Sequence, residues 1–557
     1  MRGISSVGRA PALHAGGHRF NSGILHHIQF CPEARTGQRG AWPTANSPPV
    51  CYHFKVIHPR AGTDTGETMT QKQNKIVLLY PRLYLGKREA WQKGVPLPIL
   101  AVAAPLLKED YEVVLVDGDG DDTSWMQKVV DNCGDALLLG ISSMSGPQIH
   151  FGLETAKAVR AAGHKLPIIW GGYHPSVLPE QTSQNPYVDA VVRGQGEVTM
   201  LEIAGKLSQG EDYTGVDGIT FTRDGATVSN PDRPLEDINN FPRYPYEKLD
   251  NPQQYVNPVP LLGERAVNYI SSQGCPFRCQ FCAEPLVYGS RWKSYTADRV
   301  LADLEYLKHL FRVGGIMFSD PNYFVKEKRA REISQRMVEA DMDLRWLACA
   351  RASQVIKFSD ESLQAFKSSG LQAFYIGAES GSEEMLNLIK KDIKLNDTIA
   401  AARRAADYGI RGIFSFIVGF PGETKEDVDQ TWKMLKQITE IMHEYRSVLA
   451  FYQPTPGTAL YDKACQMGWQ QPQSLEEWAS FRFLEHELPW MNQKIINSTK
   501  QRDFYFTYGY PLPEAMSGGS LKKRAYAAVA HSLGSFRCRH EFWRFPADWW
   551  LMKGLRG

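Results

Sequence analysis

Cys275, Cys279 and Cys282 are the residues best suited to metal or redox chemistry in this sequence of 557 residues. Their spacing, C-x3-C-x2-C, follows an apolar stretch, Ala266–Ser272, that predicts a strand. Thiolates are the usual ligands of iron–sulfur clusters, and a complete four-iron cubane needs four of them. Because only three cysteines are clustered here, we expect one iron to stay open to a second molecule.

Two other uses of these cysteines fit the sequence less well. A structural zinc site needs four closed ligands, commonly as paired C-x2-C units, and no second pair lies nearby. Buried unreactive thiols are an alternative, but three of them close together in a hydrophilic turn are not typical of core packing. The nine cysteines, an odd number in a long chain without a secretory signal, favour a reducing, cytoplasmic location.

The cysteine spacing, with an aromatic residue before the last cysteine, resembles the signature of the radical S-adenosylmethionine (SAM) superfamily. This resemblance implies that the three cysteines are both the metal ligands and catalytic residues of a [4Fe–4S] cluster. It also implies that the open iron binds SAM, and that one electron cleaves SAM to methionine and a 5′-deoxyadenosyl radical. The electron would come from a donor such as a flavodoxin or ferredoxin.

Strands and helices alternate after the cysteines, which predicts a partial (β/α)6 TIM-like barrel with its site at the carboxyl ends of the strands. The resemblance assigns residues at these ends to SAM. Asp320 and Asn322 fall near the methionine amino group, and Glu379 and Ser380 fall near the ribose hydroxyls. The turn from Ser415 to Gly419 falls near the adenine. Each of these residues could instead be a turn residue or a helix cap.

An earlier region alternates apolar strands with amphipathic helices. This pattern predicts a doubly wound α/β domain of flavodoxin or Rossmann type, with a parallel sheet whose ligand binds beyond the carboxyl ends of the strands. The predicted strands are Lys75–Tyr80, Glu112–Val116, Ala136–Ile141, Ile168–Trp170 and Ala190–Val192.

Small residues follow two of these strands, as Ser142-x-Met144 and as Gly171-Gly172. Glycine lets a ligand approach the backbone closely. The order and spacing of the turns resemble the cobalamin-binding domain, in which they enclose the nucleotide tail of the cofactor. The alternative is an empty flavodoxin-like scaffold, because a fold alone does not give a function.

One departure from the cobalamin pattern concerns the axial ligand. The Asp-x-His-x-x-Gly loop of many cobalamin domains is absent, and Pro81–Gly86 stands in its place. The resemblance therefore implies no histidine ligand beneath cobalt. His174 is kept as a candidate cofactor contact, although a histidine in a polar turn more often serves as a local hydrogen-bonding group.

We divide the chain into five regions. Residues 1–68 resemble the translation of a transfer-RNA gene, so Met69 is the predicted start and the extension is predicted to be disordered; a targeting segment is the alternative. The cobalamin-binding domain is assigned to 72–210, an Asn- and Pro-rich linker to 211–260 and the radical SAM domain to 261–470. A small, mainly helical segment covers 471–557.

Charge and hydropathy limit the partners. The net charge of +2 gives no general electrostatic attraction to nucleic acid. No run of eighteen apolar residues predicts a transmembrane segment. The cluster Lys522-Lys-Arg524, with the aromatic tail that follows it, is a short signal for peripheral contact with an anionic membrane.

Together, the two sites resemble the cobalamin-dependent radical SAM enzymes, in particular the subgroup of anaerobic magnesium-protoporphyrin IX monomethyl ester cyclase and the cobalamin-dependent methyltransferases. The resemblance implies an enzyme that methylates or oxidatively cyclises an unactivated carbon of a small-molecule substrate. Methylthiotransferases of transfer RNA fit less well, because they carry a second cysteine set and only Cys133 lies in the first domain. A cobalamin-binding redox or oxygen sensor without turnover is the alternative from another class.

Overall fold

The computed structural model describes residues 74–85, 93–120, 122–442, 445–481, 488–510 and 521–556. The predictions for residues 1–68 lie outside this part of the chain. Two seven-stranded sheets dominate the fold, and each is covered by helices. No helix in the described ranges is long and apolar enough to cross a membrane.

The first sheet has the order β2-β1-β3-β4-β5-β6-β7, and its first five strands in sequence are parallel. These strands are almost continuously apolar because helices cover both faces of the sheet. The strands are β1 Lys75–Tyr80, β2 Glu112–Asp117, β3 Ala136–Ser142, β4 Ile168–Gly171 and β5 Ala190–Val192. The helices are α1 Leu97–Lys108, α2 Trp125–Asn132, α3 Pro147–Ala161, α4 Tyr173–Val177, α5 Pro179–Ser183 and α6 Glu197–Ser208. The predicted doubly wound domain is confirmed.

The segment 211–260, which its composition predicts to be a linker, adds two antiparallel strands to the first sheet. These are β6 (Ile219–Arg223), which pairs with β5, and β7 (Ala226–Ser229). Asp224 and Gly225 connect them with positive φ at both residues, which is the geometry of a tight hairpin turn. The polar composition of this segment therefore did not predict the hairpin, whose strands pair through backbone hydrogen bonds.

The second sheet has the order β16-β15-β14-β13-β12-β9-β8, and all of its strands except β8 are parallel. Its edges do not pair with each other, so six parallel strands form the predicted partial barrel, which is confirmed. The strands are β8 Asn257–Val259, β9 Gly263–Tyr269, β12 Gly315–Phe318, β13 Arg345–Ala350, β14 Leu371–Glu379, β15 Arg411–Val418 and β16 Tyr445–Phe451. A separate antiparallel pair consists of β10 Ser272–Gly274 and β11 Trp292–Ser294.

Helices cover this barrel and form the end of the chain, as the sequence predicts. The barrel helices are α7 Glu284–Tyr288, α8 Ala297–Phe311, α9 Glu327–Glu339, α10 Ala352–Val355, α11 Asp360–Ser368, α12 Glu383–Leu388, α13 Leu395–Asp407 and α14 Lys425–Ile441. The last helices are α15 Ala459–Gln466, α16 Leu475–Ala479, α17 Gln493–Gly509, α18 Leu521–His540 and α19 Ala547–Arg556.

Polar contacts join the segments at the carboxyl ends of the strands in the two halves of the protein. The Gln273 side chain, in β10, donates to Glu197 at the start of α6 at 2.8 Å and accepts from Gln195 at 2.8 Å. The Asn268 side chain in β9 accepts from the backbone N–H of Val95 at 2.8 Å. The contacts of Gln273 with Glu197 and of Asn268 with Val95 are buried, so the segments at the carboxyl ends of the two sheets pack against each other.

Candidate functional site

The cysteine loop, residues 275–282, starts where β10 ends and leads into α7. Cys279 and Cys282 are buried, Cys275 is partly exposed, and the structure gives no disulfide to any cysteine it describes. The backbone N–H of Glu284 lies 3.4 Å from Cys282 Sγ as a donor. The loop therefore holds three thiols with a hydrogen-bond donor already directed at one of them.

Arg351, at the end of β13, supplies the positive charge beside this loop. Its Nη1 donates to Cys279 Sγ at 3.5 Å, and its guanidinium lies 3.9 Å from the centre of the Phe277 ring. A buried cation stabilises a thiolate relative to a thiol. This arrangement suits a cluster whose sulfur ligands carry negative charge.

The donor set is the ligand chemistry of an iron–sulfur cluster, because three free thiols lie within one loop. Among the residues described, no group of three His, Cys, Asp or Glu side chains is placed to hold a single metal ion. Burial raises the pKa of Cys275 to about 12, so binding of a cluster must displace its proton.

A cavity of about 1080 Å³, counting the part open to solvent, lies at the carboxyl ends of the first sheet. Its lining brings together Ser142, Met144, Gly171 and Gly172, which the sequence assigned to cobalamin. Most of the remaining lining is apolar, from α1, β1, β3 and β4. A large, mainly apolar cavity at the switch point of a doubly wound sheet is a typical cofactor site.

Gly172 shows why this turn needs glycine. Its φ is +97°, and a Cβ there would lie 2.7 Å from the backbone oxygen of Ser143. Left-handed backbone with so close a neighbour excludes other residues without a shift of the turn. The glycine thus keeps the turns after β3 and β4 packed against each other at the cavity.

His174 lies just beyond this turn and does not line the cavity. Its Nδ1 is 2.8 Å from Ser145 Oγ, and its ring packs edge-on against Trp478, with the ring centres 5.4 Å apart. Burial lowers the pKa of His174 to about 3, so the ring is neutral. Its Nε2 has no hydrogen-bond partner in the described residues. His174 therefore makes a local hydrogen bond and does not reach the cavity.

A hydrogen bond between domains brings the cysteine loop and the cavity together. Tyr173, which lines the cavity next to Gly172, donates its hydroxyl to Glu284, two residues after Cys282. Glu284 is completely buried, and burial raises its pKa to about 8. The two predicted cofactor sites therefore share a wall.

Asp320, predicted near the methionine amino group, lies buried after β12 with its carboxylate already engaged. It accepts from the backbone N–H of Ser271 at 3.0 Å, from the Ser271 hydroxyl at 2.7 Å, and from the Ser272 hydroxyl. Burial is the main cause that raises its pKa. These bonds fix the chain that leads into the cysteine loop. The ammonium group of a bound SAM would therefore have to share the carboxylate oxygens of Asp320 with Ser271 and Ser272. Asn322 accepts from the backbone N–H of Phe324 at 3.1 Å.

Glu379, predicted near the ribose, lies at an irregular position in the barrel sheet. It stands at a register shift between β14 and β15 with φ +62°, and a bulge of this kind re-aims a side chain. Its Oε1 accepts from Lys391 Nζ at 2.6 Å. Its Oε2 is buried and has no hydrogen-bond partner among the described residues. One carboxylate oxygen is thus available for a donor from a bound molecule.

The other residues predicted for SAM lie within β15 or directly after β14 and β15. Ser380 Oγ accepts from the backbone N–H of Ser382 at 3.1 Å, and Ser415 is buried within β15. The carbonyl of Gly419 accepts from Trp490 Nε1 at 3.0 Å. This last contact places the C-terminal segment over the end of β15.

Sequence reasoning assigned no specific role to several residues that shape the site. Arg351 follows a predicted barrel strand, at a place that resembles a position of the radical SAM family, but the sequence does not indicate what it contacts. Lys391 had none, because it lies in the loop between α12 and α13 and reaches Glu379 only through folding. Tyr173 and Glu284 are 111 residues apart, so their pairing could not be predicted.

Comparisons with known proteins identify both domains of the chain. The chain matches the Radical SAM superfamily over residues 269–435 and the B12 binding domain over residues 87–204. It is 31% identical to an uncharacterized methyltransferase of Pyrococcus horikoshii, over 71% of this chain and 83% of that protein. It is 24% identical to the anaerobic magnesium-protoporphyrin IX monomethyl ester cyclase of Rubrivivax gelatinosus, over 70% of each chain.

Solved structures show the same fold at lower identity. The radical SAM methyltransferase TsrM of Kitasatospora setae aligns with a TM-score of 0.59 and 18% identity, over 71% of this chain and 76% of that chain. The cobalamin-dependent radical enzyme OxsB aligns with a TM-score of 0.64 and 15% identity, over 87% of this chain and 75% of that chain. The chain therefore belongs to the cobalamin-binding radical SAM enzymes, the family whose cofactors are a [4Fe–4S] cluster, SAM and cobalamin.

Proposed function

We propose that this chain cleaves SAM reductively and uses the resulting 5′-deoxyadenosyl radical, together with bound cobalamin, to modify an unactivated carbon of a small molecule. The cluster supplies the electron for cleavage, and cobalamin supplies a carrier for a methyl group. Methylation of that carbon is our first choice, since the relative at 31% identity is named a methyltransferase. Oxidative cyclisation is the second, supported by the cyclase at 24% identity.

The observation that carries this proposal is the shared wall between the two sites. The hydrogen bond from Tyr173 to Glu284 joins the turn at the cavity to the segment directly after Cys282. A reaction that needs a radical and a methyl carrier requires both near one substrate carbon. A sensor that only reports the state of one cofactor has no need of this adjacency.

The residues have separate roles in this proposal. Cys275, Cys279 and Cys282 bind the cluster, and the Glu379 Oε2 accepts from a ribose hydroxyl of SAM. Ser142, Met144, Gly171 and Gly172 contact the nucleotide tail of cobalamin. An electron carrier such as flavodoxin or ferredoxin would reduce the cluster. His174 is left out of the cofactor contacts, because it does not line the cavity.

The test is anaerobic incubation of cluster- and cobalamin-loaded protein with SAM and dithionite. Reductive cleavage yields 5′-deoxyadenosine and methionine, whereas donation of the SAM methyl group yields S-adenosylhomocysteine. We expect both nucleoside products from a methyltransferase and only 5′-deoxyadenosine from a cyclase. A sensor without turnover would form neither, and that result would refute the proposal.

Cysteine variants test the ligand assignment. Cys279→Ala should lose the visible absorbance of the cluster and all formation of 5′-deoxyadenosine, while the first domain still retains cobalamin on gel filtration. Cys465→Ala is the matched control, because this partly exposed cysteine lies in α15, outside the cysteine loop. SAM cleavage that survives in Cys279→Ala would show that the ligands are assigned wrongly.

A further inference from the structure

The last two helices concentrate the positive charge of the chain. Residues 521–557 contain eight Lys and Arg against two Asp and Glu, whereas the rest of the chain contains 55 against 59. Both acidic residues are already paired. Asp548 lies 2.6 Å from Arg537, and Glu541 pairs with Lys436 of α14. The surplus charge is therefore not balanced within this segment.

Three arginines of this segment are exposed and have no ion-pair partner in the part of the chain that the structure describes. These are Arg524, Arg539 and Arg544. A structural arginine would be buried against a carboxylate, as Arg537 is. Exposed guanidinium groups without carboxylates are free to bind external anions, and they pair well with phosphate oxygens.

Exposed apolar side chains lie on the same two helices and in the connection between them. Phe545 is 81% exposed, Trp550 is 64% exposed and Phe536 is 54% exposed. On α18 the outward positions Ala525, Val529, Ser532 and Phe536 recur every three or four residues, so they form one stripe. Several large exposed apolar side chains within one short segment of the chain are typical of an interaction surface.

The opposite side of α18 is fixed against the protein. A Cβ at Gly534 would lie 2.6 Å from the backbone nitrogen of Gly509 in α17, so these two helices pack at backbone contact. Arg537 also holds the following turn, because its guanidinium donates to the carbonyls of Phe542, Arg544 and Phe545. The aromatic side chains are thus exposed on a rigid support.

We infer that this surface binds the headgroup region of an anionic lipid bilayer. The surface, called here the basic aromatic face, consists of Phe536, Phe542, Phe545, Trp550, Leu551, Arg524, Arg539 and Arg544. The guanidinium groups pair with lipid phosphates, and the aromatic rings enter the interfacial layer, where Trp and Phe are favoured. Contact is peripheral, as no described helix could span the membrane. The inference is independent of the proposed reaction, because none of these residues belongs to the cavity or the cysteine loop.

The test is flotation of the full-length, cofactor-loaded protein with vesicles of phosphatidylglycerol and phosphatidylcholine, compared with vesicles of phosphatidylcholine alone. We expect binding to the anionic vesicles only, and its release by 0.5 M salt, because salt screens exposed charges. Each cation near such a surface contributes about fivefold to partitioning. The variant Arg524→Glu/Arg539→Glu/Arg544→Glu loses three such cations and should therefore bind at least about a hundredfold more weakly.

A second variant and a matched control complete the experiment. Phe545→Ser/Trp550→Ser should also lose binding, while Lys328→Glu/Val338→Ser, which alters exposed residues of α9, should bind like the wild type. Each variant should retain cobalamin and an unchanged circular dichroism spectrum. Absence of wild-type binding to anionic vesicles would overturn the inference. So would a dimer in solution that Phe545→Ser/Trp550→Ser dissociates without any effect of lipid, since that result would make a second copy the partner.

Discussion

Lys391 Nζ lies 2.6 Å from Glu379 Oε1, and both side chains are almost completely buried. The pair ties the bulged end of β14 to the loop after α12. With one oxygen held by the ammonium group, the carboxylate is fixed in orientation and its second oxygen remains available. Lys391 is therefore a positioning residue for the site proposed to bind SAM.

Substitution of this lysine should cost stability. Lys391→Met would leave the Glu379 carboxylate buried without its cation, and loss of one partner of a buried pair typically costs about 3–5 kcal/mol. We expect a loss of this size in the denaturant transition of the barrel. Glu379→Gln/Lys391→Met should recover most of it.

An exposed pair provides the control for this substitution. Lys425→Met breaks the pair between Lys425 and Asp429, whose lysine side chain is mostly in solvent. Surface pairs contribute little, so this variant should unfold like the wild type. Equal effects of Lys391→Met and Lys425→Met would contradict the importance of burial.

Arg351 should tune the reduction potential of the bound cluster. Arg351→Gln removes a cation 3.5 Å from Cys279 Sγ, so an added electron is less stabilised and the midpoint potential should become more negative. An anaerobic redox titration followed by electron paramagnetic resonance measures this shift. Arg278→Gln is the control, because Arg278 also lies in the cysteine loop but is exposed and paired with Asp392. The same shift in both variants would count against a specific role for Arg351.

Gly172→Ala should disrupt the cavity proposed to bind cobalamin. The new Cβ would lie 2.7 Å from the Ser143 carbonyl oxygen, at a residue with φ +97°, and strained backbone of this kind costs roughly 1–3 kcal/mol. We expect a lower melting temperature and loss of the corrinoid on gel filtration. Gly163→Ala shares the positive φ but meets no atom within 4 Å, so it should keep the corrinoid. Retention of corrinoid by Gly172→Ala would show that the turn can shift at little cost.

His174 should make the first domain less stable at mildly acidic pH. Burial lowers its folded pKa to about 3 from an ordinary value of 6.5, so the unfolded chain binds one more proton between these values. Above pH 6.5 the histidine is neutral in both states and does not affect the free energy of unfolding. Below pH 6.5 that free energy decreases, by about 2 kcal/mol between pH 7 and pH 5. His174→Gln should remove that part of the pH dependence. Denaturant titrations at pH 7 and pH 5 measure the free energy of unfolding of the wild type and of His174→Gln. The same pH dependence in both proteins would disprove the prediction.

Short-range sequence patterns were enough to predict both sheets. Continuous apolar strands separated by amphipathic helices predict parallel sheets, because the covered faces of such sheets leave this trace in the sequence. The hairpin of β6 and β7 was not predicted, since its outer residues are polar and only the Asp224-Gly225 turn marks it. The cysteine spacing alone predicted an iron–sulfur cluster, because the three proposed ligands lie within one loop.

By itself the sequence determined the cysteine loop, the glycine turns at the cavity and the order of the two domains, because each depends on residues close together in the chain. Only the tertiary structure decided what each side chain contacts. It directed His174 away from the cavity, engaged Asp320 with Ser271 and Ser272, and paired Glu379 with Lys391. Such contacts depend on burial and on residues from other strands, and neither can be recognised from the nearby sequence. The link from Tyr173 to Glu284, which joins the two sites, exists only because the two sheets face each other.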